Sequence, residues 1–331
     1  MLELLWEQLL KWNSSDSIKC VFVTARDESK AFCAGGDIKF LHGLCKSGEL
    51  ARMRKFFDVE YNTNRMVKRF SKPYVAFWDG IAMGGGVGIS IHGIPLLTER
   101  TIFSMPETHI GLFPDVAAGY FLSRCKNEAL GLYIGLLGIH CNAAECVTAG
   151  IGAAVIASAS CQPLKQLLRD TPPSSTEEFM QMIEKFTVDV ASFSLPNRFV
   201  DHAEEIKHAF DSKDSFVDIM DALIEMAHND SSWAEHVLLT LRRLPTRSLE
   251  ATFRQLKAGK TKDFEEVQKM EYALMLNMMP SSDFENAVYT KLIAKTGAPV
   301  WMDCPSMTEI EALFQTEGKE MPMWPLQTAK L

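Results

Sequence analysis

Residues 81–90 read IAMGGGVGIS and place three consecutive glycines between two apolar runs. Glycine is used where the chain turns tightly or where another group approaches the backbone closely, because it carries no Cβ. The run follows a strand-like segment and opens a predicted helix, whose first N–H groups have no partner within the helix and lie at the positive end of its dipole. The stretch therefore indicates either a tight turn or a loop whose backbone N–H groups are available to bind an anionic group.

A second glycine-containing loop, CAGGD at 33–37, also follows a predicted strand. Two such loops could together present two N–H donors to one developing oxyanion. The alternative is that these glycines only permit tight turns and close packing. The residues alone leave both interpretations open.

The segments around the glycine loops alternate between strand and helix patterns. In chain order we predict a helix over 2–12, a strand over 20–25, a helix over 50–70, a strand over 72–80, a short helix over HGIPLL at 92–97, a strand over 101–105, a helix over 117–124 and a strand over 153–157. Repeated units of strand, loop and helix are typical of an α/β fold with buried parallel strands.

The C-terminal half of the chain shows mostly helical patterns from 175 to 316. One helix is predicted over 248–259, with Ser248 as its N-cap and Gly259 at its end. Another helix is predicted over 263–277. This half therefore differs in class from the part that precedes it.

At 331 residues the chain is near the upper limit for one hydrophobic unit, so one large domain or two smaller ones are compatible with its length. The Pro and Ser cluster TPPSST at 171–176 is the best linker candidate. We therefore predict an α/β core over 1–170 and a helical region over 171–331.

Charge and cysteine usage argue against several classes of protein. The net charge is −8 with His neutral, and no basic run forms a stripe, so no nucleic-acid partner is expected. No window approaches the roughly eighteen apolar residues that cross a membrane, so no membrane association is expected. The eight cysteines are scattered without Cys-x-x-Cys spacing, which predicts reduced thiols and no metal site.

Three acidic residues are candidates for chemistry. Glu107 follows Pro106 after a predicted strand, Asp115 precedes a predicted helix, and Glu60 lies on the helix predicted over 50–70. A carboxylate held beside an apolar pocket can act as a base or a nucleophile toward an acyl carbon. The structural alternatives are a turn carboxylate at Glu107, an N-cap at Asp115 and a solvated helix face at Glu60.

Two histidines lie close to these features in the sequence. His92 follows the three glycines, and His109 lies between Glu107 and Asp115. No Gly-x-Ser-x-Gly elbow is present to supply a nucleophile for either one. We expect both imidazoles to be structural.

Motifs spread over most of the chain resemble one superfamily. AFCAGGD at 31–37, IAMGGGVGISIHG at 81–93 and SMPETHIGLFPDVAAGYFLSR at 104–124 together resemble the crotonase, or enoyl-CoA hydratase/isomerase, superfamily and, within it, the family of 3-hydroxyisobutyryl-CoA hydrolases. Three later stretches are similar to the long helical region that hydratases lack: PTRSLEATFRQLKAG at 245–259, MEYAL at 270–274 and SDFENAVYTKLIAKTGAPVW at 282–301.

The resemblance implies a fold and a set of site residues. The implied fold is a spiral of repeated ββα units followed by a mostly α-helical C-terminal region. By motif position, the amides of Gly36 and Gly85 would hold a thioester carbonyl, and Glu107 would be the catalytic glutamate. Asp115 and Glu60 match residues that bind the 3-hydroxyacyl part of the substrate or assist catalysis.

The position of Gly88 separates the reaction classes within the superfamily. Hydratases place a second glutamate there, so glycine favours hydrolysis of 3-hydroxyisobutyryl-CoA to 3-hydroxyisobutyrate and CoA, a step of valine catabolism. Glu107 would either attack the carbonyl or activate water. The alternatives are an enoyl-CoA hydratase or isomerase, and a truncated protein that binds acyl-CoA without turnover.

The resemblance also bears on partners and location. The implied partner is the acyl-CoA substrate, and neither a metal nor a separate cofactor is implied, because CoA is part of that substrate. Relatives often form homo-oligomers, which leaves the oligomeric state open. Family members usually begin with a strand pair that precedes the first helix of this chain, so we expect an N-terminally truncated core.

Two locations follow from the same reasoning. Most family members are mitochondrial, which predicts a mitochondrial protein. The tripeptide Ala329-Lys330-Leu331 resembles the Ser-Lys-Leu peroxisomal address and gives the peroxisome as the alternative.

Overall fold

The computed structural model describes residues 1–26, 29–302 and 304–326. The strands are β1 (Val21–Val23), β2 (Ala31–Cys33), β3 (Tyr74–Trp78), β4 (Ile81–Met83), β5 (Ile94–Leu97), β6 (Ile102–Ser104), β7 (Cys141–Asn142) and β8 (Ala154–Val155). The first α-helices are α1 (Leu2–Ser14), α2 (Ile38–Lys46), α3 (Leu50–Lys68), α4 (Gly85–Gly88), α5 (Ala118–Phe121), α6 (Glu128–Leu137), α7 (Ala143–Ala149) and α8 (Cys161–Asp170).

The C-terminal region adds a further series of helices. They are α9 (Thr176–Ile183), α10 (Arg198–Asp201), α11 (Ala203–Phe210), α12 (Phe216–His228), α13 (Ser232–Leu241), α14 (Thr246–Gly259), α15 (Phe264–Met278), α16 (Ser282–Val288) and α17 (Met307–Leu313). Short 3₁₀ turns lie at Glu107–Ile110, Leu122–Arg124, Ser158–Ser160, Glu184–Phe186 and Val190–Phe193, and a π-helical segment lies at Tyr289–Ala294.

The strands form two four-stranded sheets with the orders β1-β3-β5-β8 and β2-β4-β6-β7. The pairings between these strands are parallel except that of β6 with β7. From β1 to β6, consecutive strands alternate between the two sheets, so each turn of the chain adds one strand to each. The predicted spiral of ββα units followed by a helical region is confirmed.

One predicted element is wrong. The segment HGIPLL, predicted as a short helix, contains strand β5, which lies between β3 and β8 with all of its residues buried. A short apolar run has no periodicity that distinguishes a buried strand from a buried helix. Its pairing partners lie elsewhere in the sequence and decide the outcome.

One predicted cap is also wrong. Helix α14 begins at Thr246, and Pro245 rather than Ser248 occupies its N-cap position. The N–H of Ser248 already donates to the Pro245 carbonyl at 3.0 Å, so Ser248 belongs to the first turn and is buried. The predicted end of the helix at Gly259 is correct.

The C-terminal helices pack directly on the α/β core. One buried apolar cluster combines residues of α2 and α3 with residues of α15 and α16, including Leu41, Phe57, Tyr61, Tyr272, Met275 and Phe284. The division of the chain at residue 170 stays a prediction. None of the helices in the described ranges is long and apolar enough to cross a membrane. The tripeptide Ala329-Lys330-Leu331 lies outside the described residues.

Candidate active site

One cavity of about 290 Å³ brings together the residues that the sequence singled out. Gly36, Gly85, Glu60, Glu107 and Asp115 all line it. Apolar side chains from α2, α3 and α15 supply much of the remaining wall. The structure thus combines the backbone amides of glycines, carboxyl groups and an apolar lining in one place, which is the usual composition of a small-molecule site.

The two glycine loops lie side by side because they follow β2 and β4, which are paired in parallel. A Cβ placed on Gly85 would lie 3.4 Å from the amide nitrogen of Gly36. Neither the Gly36 N–H nor the Gly85 N–H donates a hydrogen bond to another described residue. Two neighbouring amides are therefore available to one oxygen atom of a ligand.

Two carboxyl groups approach the glycines closely. A Cβ on Gly85 would come within 2.6 Å of Glu60 Oε1, and a Cβ on Gly84 within 2.7 Å of Glu107 Oε1. Both acids are buried, with 4% and 8% of their surfaces exposed, respectively. The solvated-face interpretation of Glu60 and the surface-turn interpretation of Glu107 are therefore wrong.

Asp115 is the third carboxyl group of the cavity and is also buried. The N-cap position of α5 belongs to Ala117, which makes no side-chain cap, so the N-cap interpretation of Asp115 is wrong. The Tyr61 hydroxyl donates to Asp115 Oδ2 at 3.3 Å. Tyr61 follows Glu60 on α3, so this helix contributes to the site twice.

The carboxyl groups raise one another's affinity for protons. Burial raises the pKa of Glu60 and of Glu107 well above the usual range, and the charge of Asp115 raises both further. Burial also raises the pKa of Asp115 to about 7 and that of Glu271, which lies behind it, to about 8. Like charges cannot all ionise in so small a space, so the cluster retains protons near neutral pH.

The space beside Gly88 is filled by another side chain. A Cβ on Gly88 would come within 2.6 Å of Val116 Cβ and 2.9 Å of Asn64 Nδ2. Val116 is fully buried. A glutamate side chain has no room at this position unless the Val116 turn moves.

The two histidines contact the backbone. His92 Nε2 lies 2.8 Å from the Val116 carbonyl, and His109 Nε2 lies 2.8 Å from the Leu137 carbonyl. Burial lowers the pKa of His92 to about 4, so its ring is neutral near pH 7 and donates to that carbonyl. These backbone contacts agree with structural roles, but His109 also lines the cavity, so the expectation for both rings stays a prediction.

Sequence reasoning missed two residues that stand behind Asp115. Glu271 on α15 accepts hydrogen bonds from the turn that follows Asp115, and Gln255 on α14 donates to the Pro114 carbonyl. The stretch MEYAL contains Glu271, but no local pattern connects it with a residue more than 150 positions earlier.

A second cavity of about 580 Å³ adjoins the first. Both are lined by Gly35, Gly36 and Phe56, so they meet at the CAGGD loop. The second also contains Arg52 and Lys55. A long ligand could therefore reach from the carboxyl groups to two cationic side chains.

The proton-retaining cluster predicts how stability depends on pH. The folded chain binds more protons than the unfolded chain between the unfolded pKa of a carboxyl, about 4, and the raised folded values, so the free energy of unfolding falls as pH rises through that window. Asp115→Asn should reduce this fall by roughly 1–3 kcal/mol between about pH 5 and about pH 8. Urea unfolding at the two pH values measures it.

The control for this prediction is the exposed Glu7. Glu7→Gln should follow the parent chain at both pH values. A parent chain that becomes more stable over this range, or an Asp115→Asn variant with the parent's slope, would contradict the buried cluster.

The similarity to known proteins extends over nearly the whole chain. The model of the enoyl-CoA hydratase/isomerase family matches residues 1–313. The mitochondrial 3-hydroxyisobutyryl-CoA hydrolase of Danio rerio is 34% identical over 302 residues, which span 91% of this chain and 78% of that protein. The corresponding hydrolase of Xenopus tropicalis is 36% identical over 304 residues, which span 91% of this chain and 77% of that protein.

A relative with another role matches as well. Small ribosomal subunit protein mS47 of Neurospora crassa is 34% identical over 302 residues, which span 87% of this chain but 59% of that protein. Among solved structures, an enoyl-CoA hydratase from Rhodobacter sphaeroides superposes with a TM-score of 0.85 at 26% identity, covering 97% of this chain and 91% of that one. A carnitinyl-CoA dehydratase from Mycobacterium thermoresistibile shares the fold at a TM-score of 0.85 and 24% identity, covering 97% and 90%.

Proposed function

We propose, since this chain belongs to the enoyl-CoA hydratase/isomerase family, that it hydrolyses 3-hydroxyisobutyryl-CoA to 3-hydroxyisobutyrate and CoA. The observation that carries the proposal is the position of Glu107, a buried carboxyl beside two amides that donate to no other described residue. The hydrolase names of relatives at 34% and 36% identity agree with it.

The thioester carbonyl oxygen accepts hydrogen bonds from the N–H groups of Gly36 and Gly85. Both donors are fixed by the ends of paired strands before the substrate arrives. Charge develops on the oxygen as the carbon becomes tetrahedral, so these bonds strengthen in the transition state. One such donor is typically worth about 100- to 1000-fold in rate.

Glu107 acts on the carbonyl carbon by one of two routes. Its carboxylate attacks the carbon, the C–S bond breaks, and water then hydrolyses the mixed anhydride. Alternatively, it takes a proton from water as the water oxygen attacks the carbon and the C–S bond breaks. In both routes Glu107 reacts in its ionised form while the protons that the cluster retains lie on its neighbours, and Asp115, whose pKa burial raises to about 7, supplies the proton that the CoA thiolate needs.

Glu60 and Asp115 bind the 3-hydroxyl group of the acyl chain. Both line the same cavity as Glu107, and a carboxyl group can accept a hydrogen bond from a hydroxyl whether or not it is ionised. The CoA part extends through the adjoining cavity, where Arg52 and Lys55, which pair with Glu49 and Glu3, would exchange those carboxylates for its phosphates.

Hydration of an enoyl-CoA fits the site less well. That reaction uses a second glutamate at the position of Gly88, where Val116 occupies the space. A second candidate is a role without turnover, as a binding or assembly protein, which the relative named as a ribosomal subunit protein favours. The family's mitochondrial relatives lead us to propose the mitochondrion as its location.

Release of free CoA thiol across a small panel of thioesters tests the proposal. We expect 3-hydroxyisobutyryl-CoA to be hydrolysed at least ~100-fold faster than isobutyryl-CoA, because the analogue leaves buried carboxyl groups without their hydroxyl partner. With 3-hydroxypropionyl-CoA, which lacks only a methyl group, kcat/KM should fall by about 10- to 100-fold.

The panel also separates the candidates. Equal hydrolysis of isobutyryl-CoA would contradict the roles given to Glu60 and Asp115. A folded chain that binds the CoA esters but releases no thiol would favour the role without turnover.

A further inference from the structure

The turn after Asp115 holds its backbone in a conformation that its residues disfavour. Val116 has a φ of 54° and Ala117 a φ of 65°, both in the left-handed region. A β-branched residue rarely adopts this region. Such a turn persists only where the surrounding structure fixes it, and strained turns of this kind concentrate at functional sites.

Two side chains of the C-terminal region fix the turn. Glu271 Oε2 accepts from the Ala117 N–H at 2.6 Å, and Glu271 Oε1 accepts from the Gly119 N–H at 2.7 Å. Gln255 Nε2 donates to Glu271 Oε1 at 2.7 Å and to the Pro114 carbonyl at 2.6 Å. Helices α14 and α15 therefore hold the backbone both at Pro114, just before Asp115, and at Ala117 and Gly119, just after it.

The turn sets two features of the cavity at once. It determines where the Asp115 carboxyl lies relative to Tyr61, which donates to it. It also determines where Val116 lies, and that side chain fills the space beside Gly88. A relaxation of the turn would therefore move a proposed catalytic group and open the space beside Gly88.

We propose that Glu271 is a positioning residue, whose buried carboxyl holds the strained turn and thereby sets the position of Asp115 in the cavity. The inference rests on the proposed thioesterase function for its kinetic readout. It gives the C-terminal helical region a part in positioning Asp115, because α14 and α15 supply the two side chains that hold the turn.

A purely structural role is the competing account. Two buried amides need acceptors, and Glu271 would then only satisfy them. Under that account its loss lowers stability but leaves the turnover of the folded enzyme unchanged. Glu145 provides a matched control, since it is buried, forms the capping box of α7 with Asn142, pairs with Arg198 and does not line the cavity.

The test is a kinetic comparison of Glu271→Gln with the parent chain on 3-hydroxyisobutyryl-CoA. We expect kcat to fall about 10- to 100-fold while KM changes by less than about threefold, because a misplaced group near the reacting atoms affects the transition state more than binding. The double variant Asp115→Asn/Glu271→Gln should be no slower than Asp115→Asn alone. Glu145→Gln should keep the parent's kcat per folded molecule.

A Glu271→Gln variant with the parent's kcat, or effects that multiply in the double variant, would overturn the inference. Gln255→Ala leaves the Glu271 carboxyl in place and should show the same pattern with a smaller fall, which keeps the test decisive if Glu271→Gln does not fold. Amide hydrogen exchange of residues 114–119 gives a readout without activity. If the parent releases no thiol, the proposed function fails, whereas unchanged exchange in both variants contradicts the positioning role.

Discussion

Glu107→Gln is expected to lower kcat for thiol release from 3-hydroxyisobutyryl-CoA by about 1000-fold or more. Glutamine has nearly the same shape as glutamate but is neither a nucleophile nor a base at neutral pH. Glu107 lies in the cavity beside the glycine loop and is 8% exposed, so a water molecule cannot easily take over the role of its carboxylate. Stopped-flow or endpoint thiol detection measures the change.

The stability of the same variant provides its control. Burial raises the pKa of Glu107 well above the usual range, which means that its ionised form destabilises the folded chain. Glu107→Gln should therefore be at least as stable as the parent at about pH 8. Lost activity together with retained stability cannot come from unfolding, whereas a variant with full activity would remove Glu107 from the mechanism.

Gly85→Ala is expected to lower kcat by about 100- to 1000-fold. The new methyl group would come within 2.6 Å of Glu60 Oε1 and lie 3.4 Å from the Gly36 amide nitrogen. It would therefore stand beside the two N–H groups, where the thioester oxygen is proposed to bind, and would displace the Glu60 carboxyl. The same thiol-release assay measures the loss.

Another glycine gives a matched control for this substitution. A Cβ on Gly43, in α2, meets nothing within 4 Å, and Gly43 lines neither cavity. Gly43→Ala should therefore leave activity unchanged. Equal losses in both variants would point to general destabilisation instead of a blocked oxyanion site.

The fold was largely predictable because its information is local. Helical periodicity predicts α1, α3 and α15 closely, and apolar runs predict β1 and β3. Strand β5 was missed because its neighbours in the sheet, not its own sequence, make it a strand. Its run of apolar residues suits a buried helix equally well.

The site was predictable only in part. Residue chemistry alone gave Glu60 and Asp115 structural interpretations, since neither burial nor the shape of a cavity is visible in a short stretch of sequence. The family resemblance favoured a functional role for both residues. The structure places them with Glu107 in one cavity. Glu271 and Gln255 were missed because their contacts with the backbone on either side of Asp115 cross more than 130 residues of chain.

The most direct test of the central claim offers one preparation of the parent chain two substrates, 3-hydroxyisobutyryl-CoA and a short enoyl-CoA. Free thiol is followed for the first, and loss of the conjugated double bond is followed by absorbance for the second. A thioester hydrolase with Val116 in the space beside Gly88 should release thiol from the first and leave the double bond of the second intact. Loss of the double bond without any thiol release from 3-hydroxyisobutyryl-CoA would contradict it.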